Sequence, residues 1–391
     1  MKDIKAVFDI GNDLLKGVVF ANENEKDVVL VKQIEATKGI RKGKILDNEE
    51  FARTLNKMVE GFIKKLGWDF IDEVFVGVSH PDIKIERVTE QKRIMWSEIQ
   101  TEDINHLSKV IAEISNHNNY ETIKIIPVHR VIDGQKKEKD PLGLQGDKLE
   151  LVADVFMLPK NFYNGLIEAF DKVGLSIMDI IPNIIWASEI ALDYDHRDLG
   201  SVLIDIGKNQ TSYVIYEDGY PLWYGTIPIG GEDVTKDISI GMQIDIKEWE
   251  QIKKSKWTAI LDKSDIDENS PIDQHFLTDI INARYEEIFL KINAHLEKLD
   301  KDRRLPWGVL LLGWASKIAN IDLLAKEVFK LASFFAKDSQ LNLWDLSNNL
   351  QFLNILWVYV RSNKYTEGRK WNFKINFNFI SKIGWFIKDM F

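Results

Sequence analysis

The chain has 391 residues, of which 45% are hydrophobic and 29% are charged, and its formal net charge is −10. A chain of this length is too long to fold around one ordinary hydrophobic core, so we expect at least two packed units. The composition excludes disorder over most of the chain. The absence of cysteine excludes disulfides and Cys-ligated metals, the seven histidines are not spaced as metal ligands, and the acidic balance argues against nucleic acid as a partner.

The first residues lead directly into an apolar strand. Residues 1–5 (MKDIK) carry no signal-peptide apolar region and no small-residue cleavage site. An apolar run of about 18 residues, which a membrane-spanning helix requires, does not occur in the sequence. We therefore expect a cytoplasmic protein that contacts a membrane, if at all, from the cytoplasmic side.

A pattern of strand, glycine turn and strand occurs twice. Residues 5–13 (KAVFDIGND) and 201–209 (SVLIDIGKN) are each an apolar strand that ends in an Asp-Ile-Gly turn. Each is followed by two further strands, joined in the later copy by Asp218-Gly219, which is a strong hairpin signal. Two such distant copies predict two related halves rather than a short-period array.

The intervening segments alternate between helical and strand patterns. We expect a helix over 48–66, a buried strand at 73–79 and an inserted region at 82–158 that contains one helix at about 101–115. Further helices are expected at 161–173, 182–193 and 322–331, with a mostly helical region at 246–300 and a strand at 307–313. This alternation predicts an α/β fold. Beyond about residue 360 the chain becomes polar and basic.

The paired turns contain the residues that phosphate and divalent cations require. Glycine lets backbone amides approach a phosphate, and carboxylates hold a divalent cation, usually through water. The two turns can supply both glycine amides and carboxylates, from opposite sides of one ligand, and Lys16 adds a positive charge. The alternative is that each turn is an ordinary hairpin with a capping Asp. The candidate residues are Asp9, Gly11, Asn12, Asp13, Asp205, Gly207, Lys208 and Asn209.

Two later glycine turns extend the pattern. Gly230 and Gly231 precede a helix whose N-terminal amides we expect near phosphate. Gly313, Trp314 and Ala315 follow a buried strand, and a glycine there permits the close approach of a flat group such as adenine. Each is equally well explained as an ordinary turn when taken alone. Glu250 and Lys253 complete the predicted nucleotide site.

The order of these turns resembles the actin/Hsp70/sugar-kinase ATPase superfamily, and further segments resemble the FtsA family of bacterial actin-like division proteins. These segments are 41–45 (RKGKI), 76–79 (VGVS), 126–135, 140–150 (DPLGLQGDKLE), 199–207, 227–238 and the terminal 379–391. The resemblance covers nearly the whole chain and is weakest at 332–360. Two departures stand out: Lys208 and Asn209 replace later glycines of the second phosphate turn, and Trp314 replaces the second glycine of the adenosine turn.

The resemblance implies an actin-like, two-lobed ATPase fold with a relocated inserted subdomain and a C-terminal amphipathic helix. Its division is 1–81 with 159–197 as subdomain 1A, 82–158 as 1C, 198–240 with 301–360 as 2A, 241–300 as 2B, 361–378 as a linker and 379–391 as a membrane-targeting helix. It implies ATP with Mg²⁺ between the halves, where Asp9 and Asp205 face the metal through water. We expect weak ATPase activity at most.

The same resemblance implies partners and a location. It predicts self-association into protofilaments and binding of the C-terminal peptide of FtsZ, the tubulin-like division protein. Arg284, in the segment NARYEEIF, matches the family pattern at the peptide contact. The implied location is the cytoplasmic face of the bacterial membrane, at the division site, as a peripheral protein.

The last thirteen residues have the pattern of an amphipathic helix. One face carries Phe379, Ile380, Ile383, Phe386, Ile387, Met390 and Phe391, with Trp385 at its edge and Lys382 and Lys388 on the other side. At ~1.5 Å per residue the helix is about 20 Å long, too short for a ~30 Å hydrocarbon core, so we expect it to lie on a lipid bilayer surface. A helix that packs on the protein's own core or binds a partner is the alternative.

Three functional hypotheses follow. The first is a membrane-tethered, ATP-binding, actin-like scaffold that anchors the FtsZ ring. The second is an actin-like adaptor of a pilus or secretion machine, which does not require the terminal helix. The third is a small-molecule kinase of the same superfamily, for which we identify neither a catalytic residue nor a sugar pocket in the sequence.

Overall fold

A computed structural model describes residues 3–23, 26–41, 43–67, 73–95, 98–115, 117–138, 140–243, 257–261 and 273–335. The strands are β1 (Asp3–Ile10), β2 (Leu14–Glu23), β3 (Lys26–Ala36), β4 (Ile40–Arg41), β5 (Lys44–Ile45), β6 (Glu73–Val78), β7 (Lys84–Arg93), β8 (Tyr120–Ile132), β9 (Lys136–Glu138), β10 (Lys148–Pro159), β11 (Ser176–Pro182), β12 (Ser201–Ile206), β13 (Thr211–Glu217), β14 (Tyr220–Ile227), β15 (Gly308–Leu312) and β16 (Ser333–Phe335). The helices are α1 (Asn48–Leu66), α2 (Thr101–Ile114), α3 (Lys160–Lys172), α4 (Asn183–Ala191), α5 (Tyr194–Leu199), α6 (Gly231–Met242), α7 (Gln274–Lys298) and α8 (Ile321–Phe329), with a 3-10 helix at Trp314–Lys317.

The two halves contain sheets of identical topology. The first sheet has the order β3-β2-β1-β6-β11 and the second has the order β14-β13-β12-β15-β16. In each, the first three strands are antiparallel and the last two run parallel to the central strand. The hairpin registers also match, because Asp9 pairs with Lys16 and Asp205 with Ser212. The repeat predicted from the Asp-Ile-Gly turns is therefore confirmed.

The ends and the buried face of helix α1 follow from its local sequence. Asp47 caps its start by accepting a hydrogen bond of 2.9 Å from the Glu50 amide, and Gly67 ends it in the left-handed region at φ 68°. Between these caps, Phe51, Leu55 and other apolar residues at helical spacing are buried against the first sheet. Burial stabilises the fold by roughly 1.5–3 kcal/mol for each large side chain.

Strand β12 is buried on both faces. Ile204 belongs to the hydrophobic cluster of α7 and α8, whereas Leu203 belongs to the cluster built around the first sheet. Side chains alternate along a strand, so Asp205 lies on the same face as Leu203, toward the first lobe. The strand thereby directs the Asp205 carboxyl group to the junction of the two halves.

The inserted region forms a separate antiparallel sheet. Its order is β7-β10-β8-β9, and α2 covers one face with Ile104, Leu107 and Ile111. The chain leaves the first lobe after β6 and returns to it at α3. The boundaries of the six-part domain division stay a prediction.

The insert also contacts the second lobe. Arg87 binds the Asp154 carboxylate through two hydrogen bonds of 2.8 Å and donates a third, of 2.7 Å, to the carbonyl of Pro221 on β14. Burial raises the pKa of Asp154, and the Arg87 guanidinium opposes that rise. The rings of Phe156 and Tyr224 also meet, at 5.1 Å between centroids. The insert is thus joined to both halves.

Several predicted features lie outside the described residues. These are Glu250 and Lys253, the linker 361–378 and the amphipathic helix 379–391. Within the part of the chain that is described, no helix is both long and apolar enough to cross a membrane.

Candidate functional site

A cavity of about 350 Å³ lies between the two repeated turns. It is lined by residues of both lobes, namely Asp9, Ile10, Gly11, Asn12, Asp13, Leu14, Lys16, Ser79, Asn183, Asp205, Gly207, Lys208, Asn209, Gln210, Leu311, Leu312, Gly313, Trp314, Ser316, Lys317 and Phe335. The structure therefore brings together the residues predicted from both Asp-Ile-Gly turns, together with Lys16, Gly313 and Trp314.

The first turn is held by one internal hydrogen bond and by two hydrogen bonds from residues outside the cavity lining. The Gly11 amide closes the turn on the Leu14 carbonyl at 3.2 Å, and the Gly11 carbonyl accepts a 2.8 Å hydrogen bond from the Thr37 hydroxyl. The Asn12 side chain accepts a further 2.8 Å hydrogen bond from the Gly43 amide. These contacts leave Asp9 and Asp13 directed to the cavity that they line.

The second turn has the same internal bond and a different support. The Gly207 amide donates to the Gln210 carbonyl at 2.9 Å, as its counterpart does in the first turn. The carbonyls of Gly207 and Lys208 accept hydrogen bonds of 3.0 and 2.7 Å from Gly231 and Glu232, at the start of α6. A Cβ at Gly230 would lie 2.5 Å from the Lys208 carbonyl oxygen, so glycine is required for this close packing.

Gly230 and Gly231 consequently differ from the expectation. The helix amide of Gly231 binds the backbone of the neighbouring turn, and neither glycine lines the cavity. Their role in this structure is to support the second turn from behind. Helix α6 starts at Gly231, where the Asp233 carboxylate accepts a 3.0 Å hydrogen bond from the Gly230 amide and caps the helix.

The third turn closes the cavity beside Asp205. Gly313 has φ 96°, and a Cβ there would overlap the Asp205 carboxylate, so both backbone angle and space require glycine. Trp314 is half-exposed and lines the cavity, whereas Ala315 is buried behind it. The Tyr285 hydroxyl of α7 donates a 2.7 Å hydrogen bond to the Ala315 carbonyl and anchors the turn.

The floor of the cavity contains two carboxyl groups, one from each lobe. Asp9 is buried, and it forms a 2.8 Å ion pair with Lys16 and accepts a 2.9 Å hydrogen bond from the Asn183 amide. Burial raises the pKa of Asp205 to about 6, the charge of Asp9 contributes to the rise, and Lys16 opposes it. Asp205 is therefore a carboxyl group whose ionised form a nearby cation would stabilise.

The donor set fits a hydrated divalent cation. Besides the two carboxyl groups, the buried side-chain oxygens of Asn183 and Gln210 have no hydrogen-bond partner within the described parts of the chain, and both residues line the cavity. Among the described residues there is no cluster of three or more Asp, Glu, His or Cys side chains that could enclose a bare ion. This arrangement of oxygen atoms suits a divalent cation that keeps several water ligands and is also bound by phosphate.

Three further candidates bind groups other than Asp9 and Asp205. Lys208 binds Asp13 of the opposite turn at 2.5 Å, and Asn209 donates to the Glu232 carboxylate. Arg284 does not line the cavity; on α7 it binds Asp237 of α6 at 2.6 Å and Glu287 at 2.5 Å.

Sequence reasoning missed several cavity residues. Ser79 and Asn183 directly follow the strands β6 and β11, which are neighbours in the first sheet. Because parallel strands present their carboxyl ends at one edge, the ends of these strands were the signal that could have found them, but the sequence analysis placed Ser79 inside its strand at 73–79 and predicted no strand before Asn183. Gln210, Lys317 and Phe335 carry no comparable signal, because their motifs do not single them out.

Comparisons with known proteins agree with this architecture. A family model described as "Cell division protein FtsA" matches residues 202–345, and one described as "SHS2 domain inserted in FTSA" matches residues 81–157. A "Cell division protein FtsA" of Bacillus subtilis (strain 168) is 26% identical over 92% of this chain and 80% of its own length. One of Borreliella burgdorferi is 23% identical over 98% of both chains.

Solved structures share the fold. The "PilM-PilN type IV pilus biogenesis complex" superimposes with a TM-score of 0.64 at 15% identity, covering 91% of this chain and 98% of that one. MreB5 of Spiroplasma citri bound to ADP superimposes with a TM-score of 0.52 at 13% identity, covering 92% and 98%. These similarities confirm the predicted actin-like α/β fold with its inserted domain.

The two family models together match more than half of the chain, and the descriptions of both name FtsA. The curated relatives extend the match over most of the sequence under a single description. The chain belongs to the FtsA family of cell division proteins.

Proposed function

We propose that this chain binds ATP with Mg²⁺ in the cavity between its lobes, assembles into filaments and tethers FtsZ filaments to the cytoplasmic face of the membrane at the division site. The observation that carries the nucleotide part is the pair of matched turns facing one cavity, with Asp9, Lys16 and Asp205 at its floor. Membership in the FtsA family supports the division role over a pilus adaptor or a small-molecule kinase.

Each residue has a role in this proposal. Asp9 and Asp205 would hold a hydrated Mg²⁺, and the raised pKa of Asp205 is consistent with a cation there. Bound Mg²⁺ would neutralise phosphate charge. Lys16 contributes positive charge beside the first turn, and Gly313 and Trp314 border the space for the base.

Calorimetric titration of the full chain with MgATP tests the site. Asp9→Asn removes one of the two carboxyl groups, and we expect the affinity for MgATP to fall by about tenfold or more, since truncating a charged partner costs about 1.5–3 kcal/mol. Asp218→Asn is the matched control, because it makes the same change at an exposed hairpin turn outside the cavity. No heat of binding by the unsubstituted chain, or equal binding by Asp9→Asn, would contradict the proposal.

Vesicle co-sedimentation tests the tether. We expect the full chain to bind anionic vesicles more firmly with MgATP, because filaments present many terminal helices to one surface. Deleting 379–391 should abolish vesicle binding and leave MgATP binding intact. Equal sedimentation of the truncated and full chains would refute the tether.

The FtsZ contact is tested with the C-terminal peptide of FtsZ. Arg284 links α6 to α7 through Asp237 and is partly exposed, so a peptide can reach its guanidinium group. We expect Arg284→Ala to weaken peptide binding measured by fluorescence anisotropy. Arg304→Ala, which removes an exposed arginine paired with Asp300, should not change it. Equal affinities of the two variants would place the contact elsewhere.

A further inference from the structure

The mouth of the cavity is crossed by an ion pair between the lobes. Lys208 of the second turn binds Asp13 of the first turn at 2.5 Å, although the two residues are 195 positions apart in the sequence. Asn12 is the counterpart of Lys208 in the first repeat, and its side chain instead accepts a hydrogen bond from Gly43 within its own lobe. The cross-lobe contact is therefore a property of Lys208 and not of the repeat.

Lys208 and Lys16 differ in how firmly they are held. The side chain of Lys16 is 16% exposed, and its partner Asp9 is 3% exposed and also accepts from Asn183, so withdrawing Lys16 would leave a buried carboxylate short of a cation. The side chains of Lys208 and Asp13 are 38% and 57% exposed. An exposed pair is weak because water stabilises both partners when they separate.

We propose that Lys208 exchanges between two anionic partners, the Asp13 carboxylate and the phosphate chain of a nucleotide in the cavity. The pair with Asp13 draws the two turns together, and a phosphate chain takes Lys208 from Asp13 because it carries more negative charge on the cavity side of the ammonium group. This inference rests on the proposed nucleotide function. The exchange selects a nucleotide with a polyphosphate chain over a nucleoside, because only the former can take Lys208 from Asp13.

A double-mutant cycle on the full chain tests the exchange. Asp13→Asn frees Lys208, so we expect MgATP to bind about fivefold more tightly, in keeping with the strength of an exposed ion pair. In the Lys208→Gln background the same Asp13→Asn change should have no effect, because the competition no longer exists. Lys208→Gln alone should weaken MgATP binding and leave adenosine binding unchanged.

Two outcomes overturn the inference while leaving the nucleotide function intact. One is an equal gain from Asp13→Asn in both backgrounds, which would show only the loss of a negative charge near the ligand. The other is unchanged affinity in every variant. A matched cycle on the exposed Arg304–Asp300 pair, outside the cavity, should show no effect of either substitution on MgATP affinity.

A second measurement does not depend on nucleotide binding. The chain lacks cysteine, so spin labels can be placed at Arg53→Cys on α1 and Lys326→Cys on α8, two exposed positions in opposite lobes. We expect Asp13→Asn or Lys208→Gln to broaden and lengthen the distance distribution measured by electron-electron double resonance. An unchanged distribution in both variants would show that the pair does not hold the lobes together. Failure of MgATP to bind the unsubstituted chain would instead refute the proposed function.

Discussion

Replacing Asp205 with asparagine should stabilise the fold and, at the same time, weaken the binding of MgATP. The pKa of Asp205 is raised from 3.8 to about 6, chiefly by burial and then by Asp9. A folded pKa above the unfolded one means that the folded chain binds more protons between these values, so stability falls as the pH rises through about 4 to 6. A shift of about two units corresponds to roughly 3 kcal/mol at neutral pH.

An asparagine side chain cannot ionise, so Asp205→Asn should remove this cost in the absence of nucleotide. We expect the free energy of unfolding at pH 7.5 to rise by about 1–3 kcal/mol, the lower figure allowing for an amide that lacks partners. At pH 4 the gain should vanish, because the carboxyl group is then largely protonated in the native state. The same substitution should weaken MgATP binding.

Urea denaturation at pH 4 and pH 7.5, followed by circular dichroism, measures both free energies. Asp218→Asn is the control for removing an exposed carboxylate and should change stability by less than about 0.5 kcal/mol at either pH. A destabilised Asp205→Asn variant at pH 7.5, or a gain of equal size at both pH values, would refute the assigned electrostatics of the cavity floor.

Other substitutions probe the contacts that hold the lobes and insert. Arg87→Ala leaves the buried Asp154 carboxylate unpaired and should destabilise the fold by about 3 kcal/mol, and adding Asp154→Ala should recover part of this loss in urea denaturation. Gly225→Ala places a Cβ in steric overlap with the Tyr213 ring and should cost about 1–3 kcal/mol, whereas no loss would mean that the ring can shift. Phe289→Ala empties a fully buried position in the second lobe and should cost about 3–5 kcal/mol, measured by the same denaturation; a cost below about 1 kcal/mol would contradict its burial.

The fold could be predicted largely from local signals. The helix over 48–66 has its Asp47 cap, its Gly67 stop and helical spacing, and the structure places it at those residues. The hairpin at Asp218-Gly219 has positive φ at both residues, as that dipeptide predicts. The Asp-Ile-Gly turn occurs in both repeats and is followed by the same antiparallel hairpin in both sheets, because a tight turn sets the pairing of the strands beside it.

The candidate site could be predicted only where a motif marked it. The two Asp-Ile-Gly turns and Gly313 meet at one cavity as expected. The ion pair of Lys208 with Asp13 could not be predicted, because it depends on the relative placement of the lobes. The support of the second turn by Gly231 was missed for a related reason: an amide at a helix start binds whichever acceptor is nearest, and here that acceptor is the Gly207 carbonyl.

Hydrogen–deuterium exchange of the full chain, with and without MgATP, tests the central claim most directly, since that claim is that both repeats bind one nucleotide. We predict increased protection in three segments together, 9–14, 205–210 and 311–317, because they line the same cavity from both lobes. Protection confined to one lobe, or unchanged exchange in all three segments at saturating MgATP, would contradict the account.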